Sequence, residues 1–210
     1  MKVLITAGAT REFFDPVRYI SNPSTGKMGF ALAQAALEFG CEVTIIAANV
    51  ALPVPAGATV VPVTTGDEML AAAQKAFPQC DVLFKTAAVC DFKPVNYFEH
   101  KLKKNGQGMT VDFVPTTDIL KTLSRSRRDD QILVGFAAET RDIETYAAKK
   151  LLEKNLDYVC ANLVGRGNIG AFGADDNTIV LLGKNGSREQ FGPASKLAVA
   201  RQLVAKILQR

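Results

Sequence analysis

The chain has a single histidine and only four cysteines, Cys41, Cys80, Cys90 and Cys160, no two of them in a CxxC spacing. Zinc-type ligand spacing is therefore missing. Three of the four thiols fall in or beside apolar runs, so they are expected to be reduced and buried, neither disulfides nor metal ligands. His100 has no orienting partner in the sequence, which leaves a Ser-His-Asp mechanism little support and makes His100 a loop residue. No apolar run approaches the ~20 residues of a membrane span. The opening MKVLITAGATREFF has one lysine and a short apolar run broken at Thr6 and Gly8, a first strand and not a signal peptide. Strong charge is also missing: 25 Lys+Arg against 21 Asp+Glu give +4. That is too mild to argue for nucleic acid, though it suits small anionic ligands. TAGATR is not GxGxxG, so the dinucleotide fingerprint is absent. SNPSTGKM is not a P-loop, because Ser21 stands where the first glycine is needed and Met28 where Ser or Thr is needed. There is no internal repeat, and no linker rich enough to split the chain.

What is present fits one globular domain spanning residues 1–210, with 48% hydrophobic residues to build its core. Short β-branched runs alternate with helical patterns. KVLIT (2–6), EVTIIA (42–47), TVVPV (59–63), DVLFKTAAV (81–89), QILVGFAAET (131–140), DYVCAN (157–162) and NTIVLL (177–182) read as strands. Helices are expected near 26–39, after Thr65 and Glu68 (spaced as a capping box), and from about Pro193 to the end. The last has Leu197, Ala200, Leu203, Val204, Ile207 and Leu208 on one face. Continuous apolar strands alternating with helices mean an α/β fold: a three-layer, Rossmann-like, doubly wound and mostly parallel sheet covered on both faces. Ligands of such folds bind beyond the carboxyl ends of the strands. The segments to inspect are thus 8–22, 86–91, 137–140 and 162–176. The stretch 92–108, FKPVNYFEHKLKKNGQG, has no sustained period. It is long for a connection and is expected to be a mobile, lysine-rich functional loop.

Three features bear on chemistry. The Ser24–Gly29 turn opens a helix, whose free N–H groups and positive dipole end attract anions. Gly26 and Gly29 would let backbone approach a ligand, yet Ser24 or Thr25 acting as a plain N-cap explains the turn equally well. The run Lys101–Lys104 is on composition alone a solvated surface; its place after a strand end makes it a candidate for closing over phosphates. Lys150 and Lys154, four apart, share a helix face, either for solubility beside Glu144 and Glu153 or for reaching a triphosphate.

Together ITAGATRE, DPVRYISNPSTGKMG, TAAVCDF, KLKK, VGFAAET and CAN followed by FGADDN resemble the phosphopantothenate–cysteine ligase family of coenzyme A biosynthesis, in the family's order and over most of the chain. The resemblance implies the CTP-dependent bacterial reaction. The carboxylate of 4′-phosphopantothenate attacks the α-phosphate of CTP, pyrophosphate leaves, and the amine of L-cysteine attacks the acyl-cytidylate to release CMP. It further implies Mg²⁺, a cytoplasmic homodimer, and a flavin-dependent phosphopantothenoylcysteine decarboxylase as fused or separate partner. Whether the chain is a stand-alone ligase or one half of a fused protein stays open. By the same resemblance Asn22 holds the acyl-nucleotide, Arg18 and Ala88 adjoin it, and Lys101 is the loop lysine needed for turnover. Thr86, Ala87, Asp91, Thr117, Asp118, Ile119, Leu120, Phe136, Lys150 and Lys154 form the CTP pocket; a bare carboxylate beside a triphosphate would be repulsive, so a metal-mediated contact is expected at Asp91. Phe136 has a second reading as plain core, and Lys27 as surface.

Two other functions compete. A short-chain NAD(P)-dependent reductase would use the Tyr146–Lys150 spacing, though it lacks the glycine pattern. A nucleotide-sensing module would bind CTP without cysteine-dependent turnover and without needing Lys101.

Overall fold

The computed structural model describes residues 1–104, 106, 108–139, 142–163 and 174–209. In chain order the elements are β1 (Lys2–Gly8), β2 (Arg11–Phe13), β3 (Tyr19–Ser21), α1 (Lys27–Glu38), β4 (Glu42–Ala48), β5 (Thr59–Val63), α2 (Gly66–Ala76), β6 (Val82–Lys85), β7 (Phe92–Pro94), β8 (Phe113–Pro115), α3 (Ile119–Ser124), β9 (Ile132–Glu139), α4 (Ile143–Glu153), β10 (Tyr158–Leu163), β11 (Asp176–Gly183), β12 (Arg188–Ser195) and α5 (Lys196–Leu208). One eight-stranded sheet runs β12-β11-β10-β9-β6-β1-β4-β5. Its six strands from β10 to β5 are parallel; β11 and β12 join one edge antiparallel.

Alternate side chains of the parallel strands feed two cores, as the period of two demands. Val3, Ile5 and Ala7 of β1 pack with Phe30 and Leu32 of α1 and Leu203 and Ile207 of α5. Leu4, on the opposite face, packs with Met69 of α2, Leu120 of α3 and Leu151 of α4. Helices therefore cover both faces, as expected for a three-layer fold. All four cysteines are buried thiols. The capping box is present as well: the Thr65 side chain accepts the Glu68 N–H while Glu68 reaches back to the Thr65 N–H.

Two readings need correction. The terminal helix starts at Lys196, not near Pro193, and Ser195 caps it by accepting the Ala198 N–H. Residues 188–195 instead form the edge strand β12, whose side chains alternate only between exposed and half-buried. Such a strand carries no apolar signature, and an edge tolerates Pro193. Consequently Val199, not Leu197, is on the buried face of α5. The segment 92–108 is also not loop throughout: β7 pairs antiparallel with β8 in a two-stranded ribbon.

Candidate active site

The strand order reverses beside β1, since β4 and β5 continue to one side while β6, β9 and β10 continue to the other. A crevice at the carboxyl ends of β1 and β6 follows from that topology. The backbone there is tightly laced. Ala88 N–H donates to the Gly8 carbonyl at 2.9 Å, Ala87 N–H to Thr6 Oγ1 at 3.2 Å, and Cys90 N–H to Thr10 Oγ1 at 3.0 Å. These bonds hold the segment Thr86–Asp91 across the mouth of the crevice, over a cavity of about 460 Å³.

Of the residues singled out from sequence, Asn22, Thr86, Ala87, Ala88, Asp91, Thr117, Asp118, Ile119, Leu120, Phe136, Lys150 and Lys154 all line this one cavity. Phe136 also packs against the α1/α5 core, so its reading as core holds while it lines the cavity as well. Asn22 Nδ2 donates weakly to the Ala88 carbonyl at 3.4 Å. Lys27 lines the cavity too and pairs with Asp175 at 2.6 Å.

Arg18 and Lys101 lie outside the cavity lining. Lys101 is exposed, and its neighbour Leu102 is tied to the corner after β2, its N–H donating to Asp15 at 3.2 Å and its carbonyl accepting from Arg18. Thr140 and residues 164–173 of the inspected segments lie outside the described residues. Tyr146 is exposed on α4 and does not line the cavity, so its spacing to Lys150 builds no reductase site.

The turn into α1 differs from expectation in its cap. Gly26, at φ 80°, occupies the cap position and has no side chain with which to cap the helix. The first turn of α1 thus faces the cavity without a capping hydroxyl, the arrangement that favours an anion. Gly29 does not line the cavity. A Cβ there would meet Ala7 Cβ at 2.6 Å and Thr86 Oγ1 at 2.7 Å, so its role is the close seating of α1 on β1.

Opposite α1 stands a group of lysines. Lys150 Nζ donates to the Phe136 carbonyl at 2.7 Å. Lys154 Nζ pairs with Asp118 at 2.7 Å. The solubility reading, with Glu144 and Glu153, does not hold: Glu144 binds Arg188, and Glu153 binds Lys149. Lys85, the last residue of β6, completes the group and was not anticipated from sequence; its Nζ donates to the Ala87 carbonyl at 2.8 Å. The residue keeps some exposure, but its ammonium end is enclosed. Burial, then Lys150 and Lys154, pull its pKa down to about 7, only partly offset by Asp118 and Asp91. Burial and Lys154 likewise lower Lys150. Burial pushes Asp118 up, yet the Lys121 N–H and Lys154 hold it below the usual carboxylate range. Asn162, Asn177 and Lys196 also line the cavity; Lys196 escaped notice because the reading placed it inside a helix, not at a helix start.

No group of three His, Cys, Asp or Glu able to hold a metal occurs among the described residues. Asp118 is already engaged by Lys154 and by the Lys121 N–H, which leaves Asp91 as the carboxylate open to the cavity. One carboxylate suits Mg²⁺ held chiefly by phosphate oxygens and water, not a protein cage.

Comparison with known proteins agrees with this architecture. The family described as DNA/pantothenate metabolism flavoprotein C-terminal domain matches residues 1–210. The coenzyme A biosynthesis bifunctional protein CoaBC of Bacillus subtilis is 47% identical over 206 residues, 98% of this chain and 50% of that protein. The chain thus spans about half the length of the curated relatives it matches. The crystal structure of the C-terminal domain of a CoaBC protein is 38% identical, with TM-score 0.83 over 99% of this chain and 94% of that one. A DNA/pantothenate metabolism flavoprotein from Streptococcus pneumoniae, 23% identical, shares the fold at TM-score 0.85 over 100% and 99% of the two chains.

Proposed function

Because the chain belongs to the family of the DNA/pantothenate metabolism flavoprotein C-terminal domain, we propose that it is the ligase of coenzyme A biosynthesis that joins 4′-phosphopantothenate to L-cysteine with CTP. The observation that carries this reading is a single cavity holding a helix start with glycine at its cap, the Asn22 amide and five lysines. A carboxylate and a triphosphate repel each other, so their reaction requires a site that neutralises and aligns them.

In this reading the triphosphate lies against the lysines, with Thr86, Ala87, Ile119, Leu120 and Phe136 around the nucleoside. The pantothenate carboxylate attacks the α-phosphorus, and pyrophosphate leaves. Asn22 holds the acyl-cytidylate beside Ala88, because its amide both donates and accepts. The cysteine amine then attacks the acyl carbon, forming the amide and releasing CMP. Asp91 would hold Mg²⁺, which supplies charge neutralisation on the phosphates. Lys101 joins when its loop closes, and Arg18 is freed from Leu102 toward the intermediate.

The homodimer belongs to this proposal. The ribbon and its flanks expose Phe92, Val95, Tyr97, Met109 and Phe113, an apolar surface suited to a second copy. A flavin-dependent decarboxylase, fused or separate, would use the product. A cytoplasmic setting suits such a pathway; among the described residues no helix is long and apolar enough to cross a membrane.

The test is pyrophosphate release from CTP with phosphopantothenate and Mg²⁺, with and without cysteine, beside an ATP control. Cysteine-stimulated release together with CMP is expected. Cysteine-independent CTP binding with no turnover would favour the nucleotide-sensing module instead.

A further inference from the structure

We propose that Lys85 is a third phosphate-gripping lysine of this site, closing with Lys150 and Lys154 on the triphosphate of the nucleotide. The proposal rests on the ligase reading and adds a residue that the family resemblance does not assign. Its basis is placement. Lys85 ends β6 at the carboxyl edge of the sheet and lines the cavity. The groups that act on it are Lys150 and Lys154 of α4, Asp118 at the start of α3 and Asp91 beyond β6.

Five lysines, Lys27, Lys85, Lys150, Lys154 and Lys196, line the cavity against the two carboxylates Asp91 and Asp118; even with Lys154 paired to Asp118 and Lys27 to Asp175, the site carries a surplus of basic groups. A neutral cytosine ring gives no reason for that surplus; a triphosphate does. Without ligand, burial first and the neighbouring lysines second hold the pKa of Lys85 down at about 7. A polyanion reverses the local field and raises that value. Binding near pH 8 must then draw a proton onto Lys85 from solvent. The sign follows from linkage: the bound pKa exceeds the free one, so the gain in affinity is full below about 7 and is lost as pH rises toward the bound value, by at most about tenfold per pH unit.

The experiment is titration calorimetry of the full chain with Mg²⁺ and CTP at about pH 8, where the triphosphate itself is fully ionised, in two buffers of different protonation enthalpy. Wild type should take up close to one proton per CTP and much less with CMP. Lys85→Met should remove most of that uptake and weaken CTP binding about tenfold or more, with little effect on CMP. Lys85→Arg should keep affinity without the uptake. Wild-type uptake needs no variant, so a misfolded Lys85→Met leaves the test intact. Uptake with phosphopantothenate in place of CTP would assign Lys85 to the other phosphate. Equal weakening of CTP and CMP, or unchanged uptake in a folded Lys85→Met, overturns the proposal. Failure of folded wild type to bind any nucleotide overturns the ligase reading itself, and Lys85 with it.

Discussion

Asp15 and Leu102 are joined across 87 residues of chain: the Asp15 carboxylate accepts the Leu102 N–H at 3.2 Å. The same carboxylate accepts the Val17 and Arg18 N–H groups, each at 2.8 Å, and Arg18 in turn donates to the Leu102 carbonyl. Among the described residues the lysine-rich run is therefore latched at Leu102, beside Lys101, while Lys101, Lys103 and Lys104 are exposed. Asp15→Ala should release it. The expected result is faster amide exchange at residues 99–104, with the core strands unaffected.

This latch has a defined pH range. Burial pushes the Asp15 carboxyl up, but the N–H groups of Val17, Leu102 and Arg18 and the Arg18 side chain outweigh it and hold the pKa at about 2. A depressed carboxylate contributes stability that is fully present above its ordinary value of 3.8 and is lost as pH falls through about 2. Protection of the Leu102 amide, corrected for intrinsic exchange, should be flat from neutral pH down to mildly acidic pH.

Lys101 is exposed and outside the cavity, so its contribution must come after loop movement. Lys101→Gln should fold with an unchanged melting temperature and bind CTP nearly normally. Turnover should fall on the order of 10²-fold or more, the usual cost of losing one charge-stabilising donor. Steady-state pyrophosphate release beside equilibrium CTP binding separates the two. Wild-type turnover would remove Lys101 from the mechanism.

Asn22 carries a sharper test. Its amide nitrogen points to the Ala88 carbonyl at 3.4 Å and to Cys90 Sγ at 3.8 Å, contacts too long to be its main purpose. Asn22→Asp has the same size and places a negative charge where a phosphate is expected. Formation of acyl-cytidylate should drop about 10²–10³-fold, read by quenching a cysteine-free reaction. An unchanged rate would clear Asn22 of the role.

Sequence legibility stopped where pattern and chemistry parted. Apolar, β-branched runs make seven strands of the main sheet readable, the six parallel ones and the antiparallel β11, whereas the edge strand β12 has only half-buried side chains on one face and its end reads as a helix start. The cavity segment 86–91 was readable because strand ends bind ligands in such sheets. Lys85 was missed by one position: it ends the apolar run VLFK, so it counted as strand, though a lysine closing a buried strand at its carboxyl end was itself the signal. Gly29 reads from sequence either as admitting a ligand or as part of a plain capped turn, because nothing local distinguishes a glycine that admits a phosphate from one that admits a neighbouring strand.

That distinction at Gly29 can be measured. An added Cβ would sit 2.6 Å from Ala7 Cβ and 3.3 Å from Ala7 Cα, near the carboxyl end of β1 where the strand is still paired with β4, and 2.7 Å from Thr86 Oγ1. Gly29→Ala must therefore lift α1 or turn the Thr86 hydroxyl off the Thr6 carbonyl it donates to. Overpacking of this kind costs about 1–3 kcal/mol, which for a chain of this size lowers the melting temperature by about 2–4 °C per kcal/mol. Helix propensity opposes this, since alanine is favoured over glycine by about 1 kcal/mol in a helix interior, so a net loss measured by urea unfolding reports steric conflict at the helix–strand contact. If Gly29 instead admitted a ligand, Gly29→Ala would leave the unliganded protein as stable as wild type or more so, and the defect would appear only in CTP binding.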